Sequence, residues 1–114
     1  MIWIFEHGSY SDRHLAPALH GPARADIPAL YAEFVSSARG VGLEDPVEIQ
    51  LMSATQQKAM GLDLKEAASV GLEEYHHADM FVAWLLQKHP AEWRFAAERR
   101  VAIDSDNLRR LWDS

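Results

Sequence analysis

The side chains best equipped for chemistry fall in two places. His7, Tyr10, Ser11, Asp12 and His14 lie in one polar stretch, Glu6-His-Gly-Ser-Tyr-Ser-Asp-Arg-His14, between two apolar runs. His76 and Asp79 sit far along the chain, three residues apart, which is one face of a helix. A serine nucleophile needs a base within hydrogen-bond reach and a group that orients the base. Serine, histidine and aspartate all occur in the first stretch. Members of such a set usually come from distant segments, however, and no Gly-x-Ser-x-Gly elbow is present. Gly8, Ser9, Ser11 and Asp12 are also ordinary turn formers, and Asp12 or Ser11 can bond its own backbone. The turn reading is therefore preferred. It leaves Tyr10 and the flanking His7 and His14 without a local explanation.

Joining His76 and Asp79 to His7 or His14 would supply three ligands, enough for a catalytic zinc. No H-E-x-x-H motif occurs, and a chain without cysteine has no Cys/His zinc spacing. No metal and no cofactor is expected. The missing cysteines also exclude disulfides, iron–sulfur clusters and thiol nucleophiles. Neither a Walker lysine loop nor Gly-x-Gly-x-x-Gly appears, which removes the familiar nucleotide sites.

Charge argues against nucleic acid. The chain carries 17 acidic and 11 basic side chains, a net of −6, and such a surface repels phosphate. The stretch Leu62–Trp84 has helix-turn-helix spacing at Ala67 and Gly71. Its second helix would hold Glu73, Glu74 and Asp79, with no Arg or Lys before Lys88. Base and phosphate recognition needs donors and positive charge there. His77 also falls where that motif needs an apolar residue. An acidic surface suits a basic protein partner better.

The elements that must position these residues follow from periodicity. Ile2–Phe5 reads as a strand, and Leu15–Leu19 as its partner across the polar stretch. Pro17 lacks an N–H, so that partner is an edge strand or is bulged. Asp26 caps a helix with Pro28 in its first turn. Ile27, Leu30, Tyr31, Phe34, Val35 and Ala38 form its apolar face, and Gly40 and Gly42 end it. Val47, Ile49 and Leu51 alternate as in a strand, but Asp45-Pro46 would open a helix equally well. Thr55–Met60 permits a helix, and Gly61 interrupts it. Asp63 to Glu66 has capping-box spacing for a short helix ending near Gly71. Glu73–His89 predicts a long helix with a broad apolar face, which implies deep burial or a shared contact. Trp93–Ile103 alternates and is read as strand, though its Ala, Glu and Arg content permits helix. Ser105 or Asp106 caps a last helix bearing Leu108, Leu111 and Trp112.

The expected architecture is one compact α+β domain over residues 1–114. It has a small antiparallel sheet that starts with an N-terminal β-hairpin, and helices packed on one face. The apolar runs Ile2–Phe5 and Met80–Leu86 are too short for a signal peptide or a membrane span, so a cytoplasmic protein is expected.

An apolar strand, then Gly8-x-Tyr10-Ser11-Asp12, then a second apolar strand resembles a group of small uncharacterised bacterial and phage proteins that begin this way. The match covers residues 1–20. Arg13 stands where that group often has an aromatic residue. The resemblance implies the hairpin start and a phage or mobile-element setting, and it implies no activity.

Two functions fit these observations. The favoured one is a small non-enzymatic interaction protein, self-associating or binding another protein. Its contact surface would be the helix 73–89 and the aromatic C-terminal third, with Trp84, Trp93, Arg99, Arg100 and Trp112 as contacts. The alternative is a small-ligand-binding or hydrolytic domain. Its site would join His7, Tyr10, Ser11, Asp12 and His14 to His76 and Asp79.

Overall fold

A computed structural model describes residues 2–7, 14–15, 18–65, 72, 76–96 and 101–113. Among them are five strands: β1 (Ile2–His7), β2 (His14–Leu15), β3 (Leu19–His20), β4 (Arg94–Phe95) and β5 (Val101–Asp104). The helices are α1 (Ile27–Gly40), α2 (Pro46–Gln50), α3 (Ala54–Met60), α4 (His77–Lys88) and α5 (Ser105–Trp112). The fold is α+β.

The antiparallel hairpin at the N-terminus is present. β1 pairs with β2 through Glu6↔Leu15 and His7↔His14, and with β3 through Ile2↔His20 and Trp3↔Leu19. Continuing the Trp3–Leu19 register would set Glu6 against residue 16. It faces Leu15 instead, so the two registers are offset by one residue. Pro17, the reason for expecting an edge or a bulge, lies outside the described residues. β4 adds antiparallel to β3. β5 lies parallel to β1 on its other side, from Trp3↔Val101 to Glu6↔Asp104. The segment read as one strand, 93–103, thus holds strand at both ends, β4 and the start of β5. Residues 97–100 between them are not described.

β1 is flanked on both sides and covered on both faces. Ile2, Ile4 and Phe5 are buried and Trp3 is half-buried. This explains why its sequence is a continuous apolar run and not an alternation. Phe5 belongs to the main core cluster together with α1 and α4. Ile2 and Ile4 are buried outside that cluster.

The helices obey their caps. The Asp26 carboxylate accepts the Ala29 N–H at 3.1 Å, and α1 buries Ile27, Tyr31, Phe34, Val35 and Ala38. Residues 46–50 are helix, which settles the strand-or-helix alternative. The Asp45 carboxylate accepts the Glu48 N–H at 2.9 Å, and Pro46 occupies the first turn, where it needs no N–H partner. Ser53 and Gln56 close a reciprocal capping box on α3, and Gly61 ends it at φ +76°. Leu64 and Lys65 are helical; the rest of the helix expected to end near Gly71 lies outside the described residues. The long helix begins at His77, with His76 extended before it. The expected start, Glu73 to Tyr75, is not described. Every side chain from His77 to Leu85 is buried, so the broad apolar face reflects a core helix.

Gly21 follows β3 and lies against Trp93. A Cβ there would stand 2.5 Å from Cζ3 and 2.6 Å from Cε3 of the indole. Trp93 is fully buried and cannot swing away. Gly21→Ala is expected to cost about 1–3 kcal/mol by overpacking, read by denaturant unfolding. A cost under about 0.5 kcal/mol would show that Trp93 moves freely.

Candidate functional site

The buried polar residues gather at one place. Among the described residues, the buried polar or charged side chains are His77 (3% exposed) and Asp79 (1%), both in the first turn of α4. A carboxylate in the first turn is favoured by the positive end of the helix, by about 0.3–1 kcal/mol at a surface and up to about 2 when partly buried. His76, half-buried, sits at the N-cap position and makes no side-chain capping bond.

Tyr31 of α1 packs beside this turn. Its ring is edge-on to His77 with centroids 6.4 Å apart, and it also meets Phe81 and Trp112. The Tyr31 hydroxyl is buried without a hydrogen-bond partner among the described residues. Burial pushes its pKa well above the ordinary tyrosine value of 10.0. Arg109 lowers it in part and Asp113 raises it. The phenol is therefore neutral at physiological pH and is neither a base nor a nucleophile.

Because the folded value lies above the unfolded one, this group leaves stability unchanged below pH 10.0 and lowers it as pH rises from there toward the folded value. Tyr31→Phe is expected to flatten the alkaline fall in stability and to leave neutral stability equal or higher. An unsatisfied buried hydroxyl costs about 1–3 kcal/mol. Unfolding curves at neutral and alkaline pH check this. A loss at neutral pH would mean that the hydroxyl is bonded.

Strand pairing brings further polar residues to the same end of the fold. Phe5 meets Phe81 at 5.5 Å and Trp3 meets Trp93 at 6.4 Å. The chain thus runs back along β1 from its carboxyl end, and His77 lies beyond Phe81 toward that end. There, backbone register sets His7 opposite His14 and Glu6 opposite Asp104. Ligands of parallel sheets favour the carboxyl ends of strands.

The expected site residues divide accordingly. His7 and His14 share a register position, and His76 and Asp79 stand at the start of α4. Tyr10, Ser11 and Asp12 lie outside the described residues. Sequence reasoning missed Tyr31, His77 and Asp104 as site neighbours. The signal for His77 was a histidine directly before the almost wholly apolar run of the predicted helix 73–89. Tyr31 read simply as part of an apolar face, and Asp104 required knowledge of the parallel pairing. Among the described residues, no three His, Asp or Glu side chains are grouped to hold a metal ion. His77 and Asp79 are closed off from solvent, so the cluster as it stands fits a structural pin better than a reaction centre.

The expected partner contacts need correction. Trp84, Trp93 and Trp112 are buried core side chains and offer no surface to a partner. Trp84 packs against Phe34 and Phe81, Trp93 against Trp3, and Trp112 against Tyr31. Large aromatic rings gain most by leaving water, and this core is where they do so. Arg99 and Arg100 lie outside the described residues.

The large apolar side chains that are exposed lie elsewhere. Among the described residues they are Val47 (50% exposed), Leu51 (79%) and Phe95 (37%). Val47 and Leu51 are four apart on α2 and its C-cap, hence on one face. Pro46 and Ile49 of the same helix point inward and are buried. No described helix is long and apolar enough to cross a membrane. Comparison of the chain with family models, with curated proteins and with solved structures gives no match.

Proposed function

We propose that the protein is a non-enzymatic interaction module whose contact surface is the outer face of α2. The observation that carries this reading is the exposure of Val47 and Leu51 together on one helical face. The described core hides almost every other large apolar side chain, including the tryptophans. Exposed apolar side chains that cluster mark contact sites more often than scattered ones do. The chemistry-bearing side chains His77 and Asp79 are buried, which favours binding over catalysis. The lack of cysteine fits a reducing compartment, and we place the module in the cytoplasm. The turn resemblance at Gly8, Tyr10, Ser11 and Asp12 supports a phage or mobile-element setting.

The test is the double variant Val47→Ser/Leu51→Ser, expressed in the native host. Surface substitutions of this kind change stability by only about 0.5 kcal/mol. The wild type should elute from a sizing column as part of a complex, and the folded double variant as free protein. A wild type that elutes free, or a variant that stays in the complex, overturns the reading.

A second reading rests on the register of His7 with His14 and Glu6 with Asp104 beside the first turn of α4. It supports a small-ligand site at that end of the sheet. Unlike the first reading, it makes Asp79 sensitive and Leu51 indifferent.

A further inference from the structure

We infer that the α2 face takes a basic amphipathic segment of another protein, one with leucine-like side chains along one side and lysine or arginine beside them. This rests on the proposed contact surface and adds the chemistry of its occupant. The apolar centre is Val47 and Leu51. Around it stand Glu44 and Asp45, both exposed, and Glu48, half-buried. One Asp45 oxygen caps α2 through the Glu48 N–H. Among the described residues, none of the three carboxylates is ion-paired. Positions 40–57 carry three negative charges and no positive one, and the neighbouring Arg39 guanidinium is engaged by the ring and carbonyl of Trp112, not by these carboxylates.

An apolar patch rimmed by one sign of charge selects a partner of the other sign, and it raises the encounter rate. The same rim argues against a second copy as the occupant. In a two-fold dimer a patch meets itself, which would set Glu44, Asp45 and Glu48 against the same carboxylates. The face is small, so the contact belongs to the weak, transient class.

The probe is a synthetic helical peptide of leucine and lysine, with a leucine and glutamate peptide of the same apolar face as its counterpart. Both are titrated into isotope-labelled full-length protein, with backbone amide shifts as the readout. The lysine peptide should shift the amides of residues 44–51 first and most, with an affinity that falls as salt rises. Glu44→Gln/Glu48→Gln should weaken it roughly threefold or more. Leu51→Ser should weaken it roughly tenfold. Leu51 is mostly exposed, so that variant folds. An equal response to the glutamate peptide would overturn the basic partner and leave the apolar contact surface standing. No response at 44–51 to either peptide would overturn this inference, while the contact surface itself is judged by the sizing experiment in the host.

Discussion

Phe81→Ala is expected to remove about 3–5 kcal/mol of stability, the range for emptying a buried aromatic site. Phe81 is where the layers meet. Its ring contacts Phe5 of β1 edge-on at 5.5 Å, Tyr31 of α1 edge-on at 5.1 Å, Phe34 at 5.4 Å and Trp84 at 6.2 Å. Edge-to-face pairs of this kind add about 0.5–1.5 kcal/mol each beyond area. The surrounding rings are rigid and come from three different elements, so they cannot collapse into the space. Domains of this size hold about 5–15 kcal/mol in all. The variant should therefore unfold at a much lower denaturant midpoint, with a drop in Tm of roughly ten degrees or more. A loss below about 1 kcal/mol would mean that α4 does not pack on β1 through this ring.

Trp112→Ala should cost a similar amount, about 3–5 kcal/mol, by a different route. The residue closes the C-terminal helix onto α1 and onto the segment that leads into α2. Its indole N–H donates to the Glu44 carbonyl at 3.2 Å, and its own carbonyl accepts from the Arg39 guanidinium at 3.4 Å. The Arg39 Cζ stands 5.3 Å from the centroid of the indole ring. Trp112→Phe keeps most of the ring surface and loses the donor, so it should cost only about 0.5–1.5 kcal/mol. A double-mutant cycle between Arg39 and Trp112 should return a coupling of about 0.5–1 kcal/mol, the range for a cation–ring pair whose cation stays exposed, as Arg39 does. Additivity within error would remove the ring–guanidinium contact from the account. Glu44 immediately precedes the α2 cap, so this bond also anchors the segment that presents Val47 and Leu51. Stability and the contact surface are linked at that one hydrogen bond.

Local chemistry was legible in the sequence, and long-range pairing was not. The face of α1 from Ile27 to Ala38 follows from its spacing, and Asp26 starts it as its type predicts. The hairpin of β1 with the strand after it also follows from local runs. Residues 45–51 stayed ambiguous because Val47, Ile49 and Leu51 match both periods. The Asp45 cap and Pro46 decided for helix, and the alternation then turned out to place Val47 and Leu51 outside and Ile49 inside. The parallel pairing of β1 with β5 could not be read locally. It joins residues nearly the whole chain apart, and a parallel pair requires a crossover that no short window reveals. For the same reason Asp104 was not seen as a neighbour of Glu6. The tryptophans misled in a physical way. Trp, Tyr and Arg anchor interfaces and also fill cores; composition does not distinguish the two, and burial does.

The claim that α2 is the contact surface is tested most directly by a photo-crosslinking side chain at position 51, with the same side chain at exposed Lys58 as control. Irradiation in the native host should yield a discrete protein adduct from position 51 and none of that size from position 58. Adducts of equal yield at both positions, or none at position 51, would contradict the account.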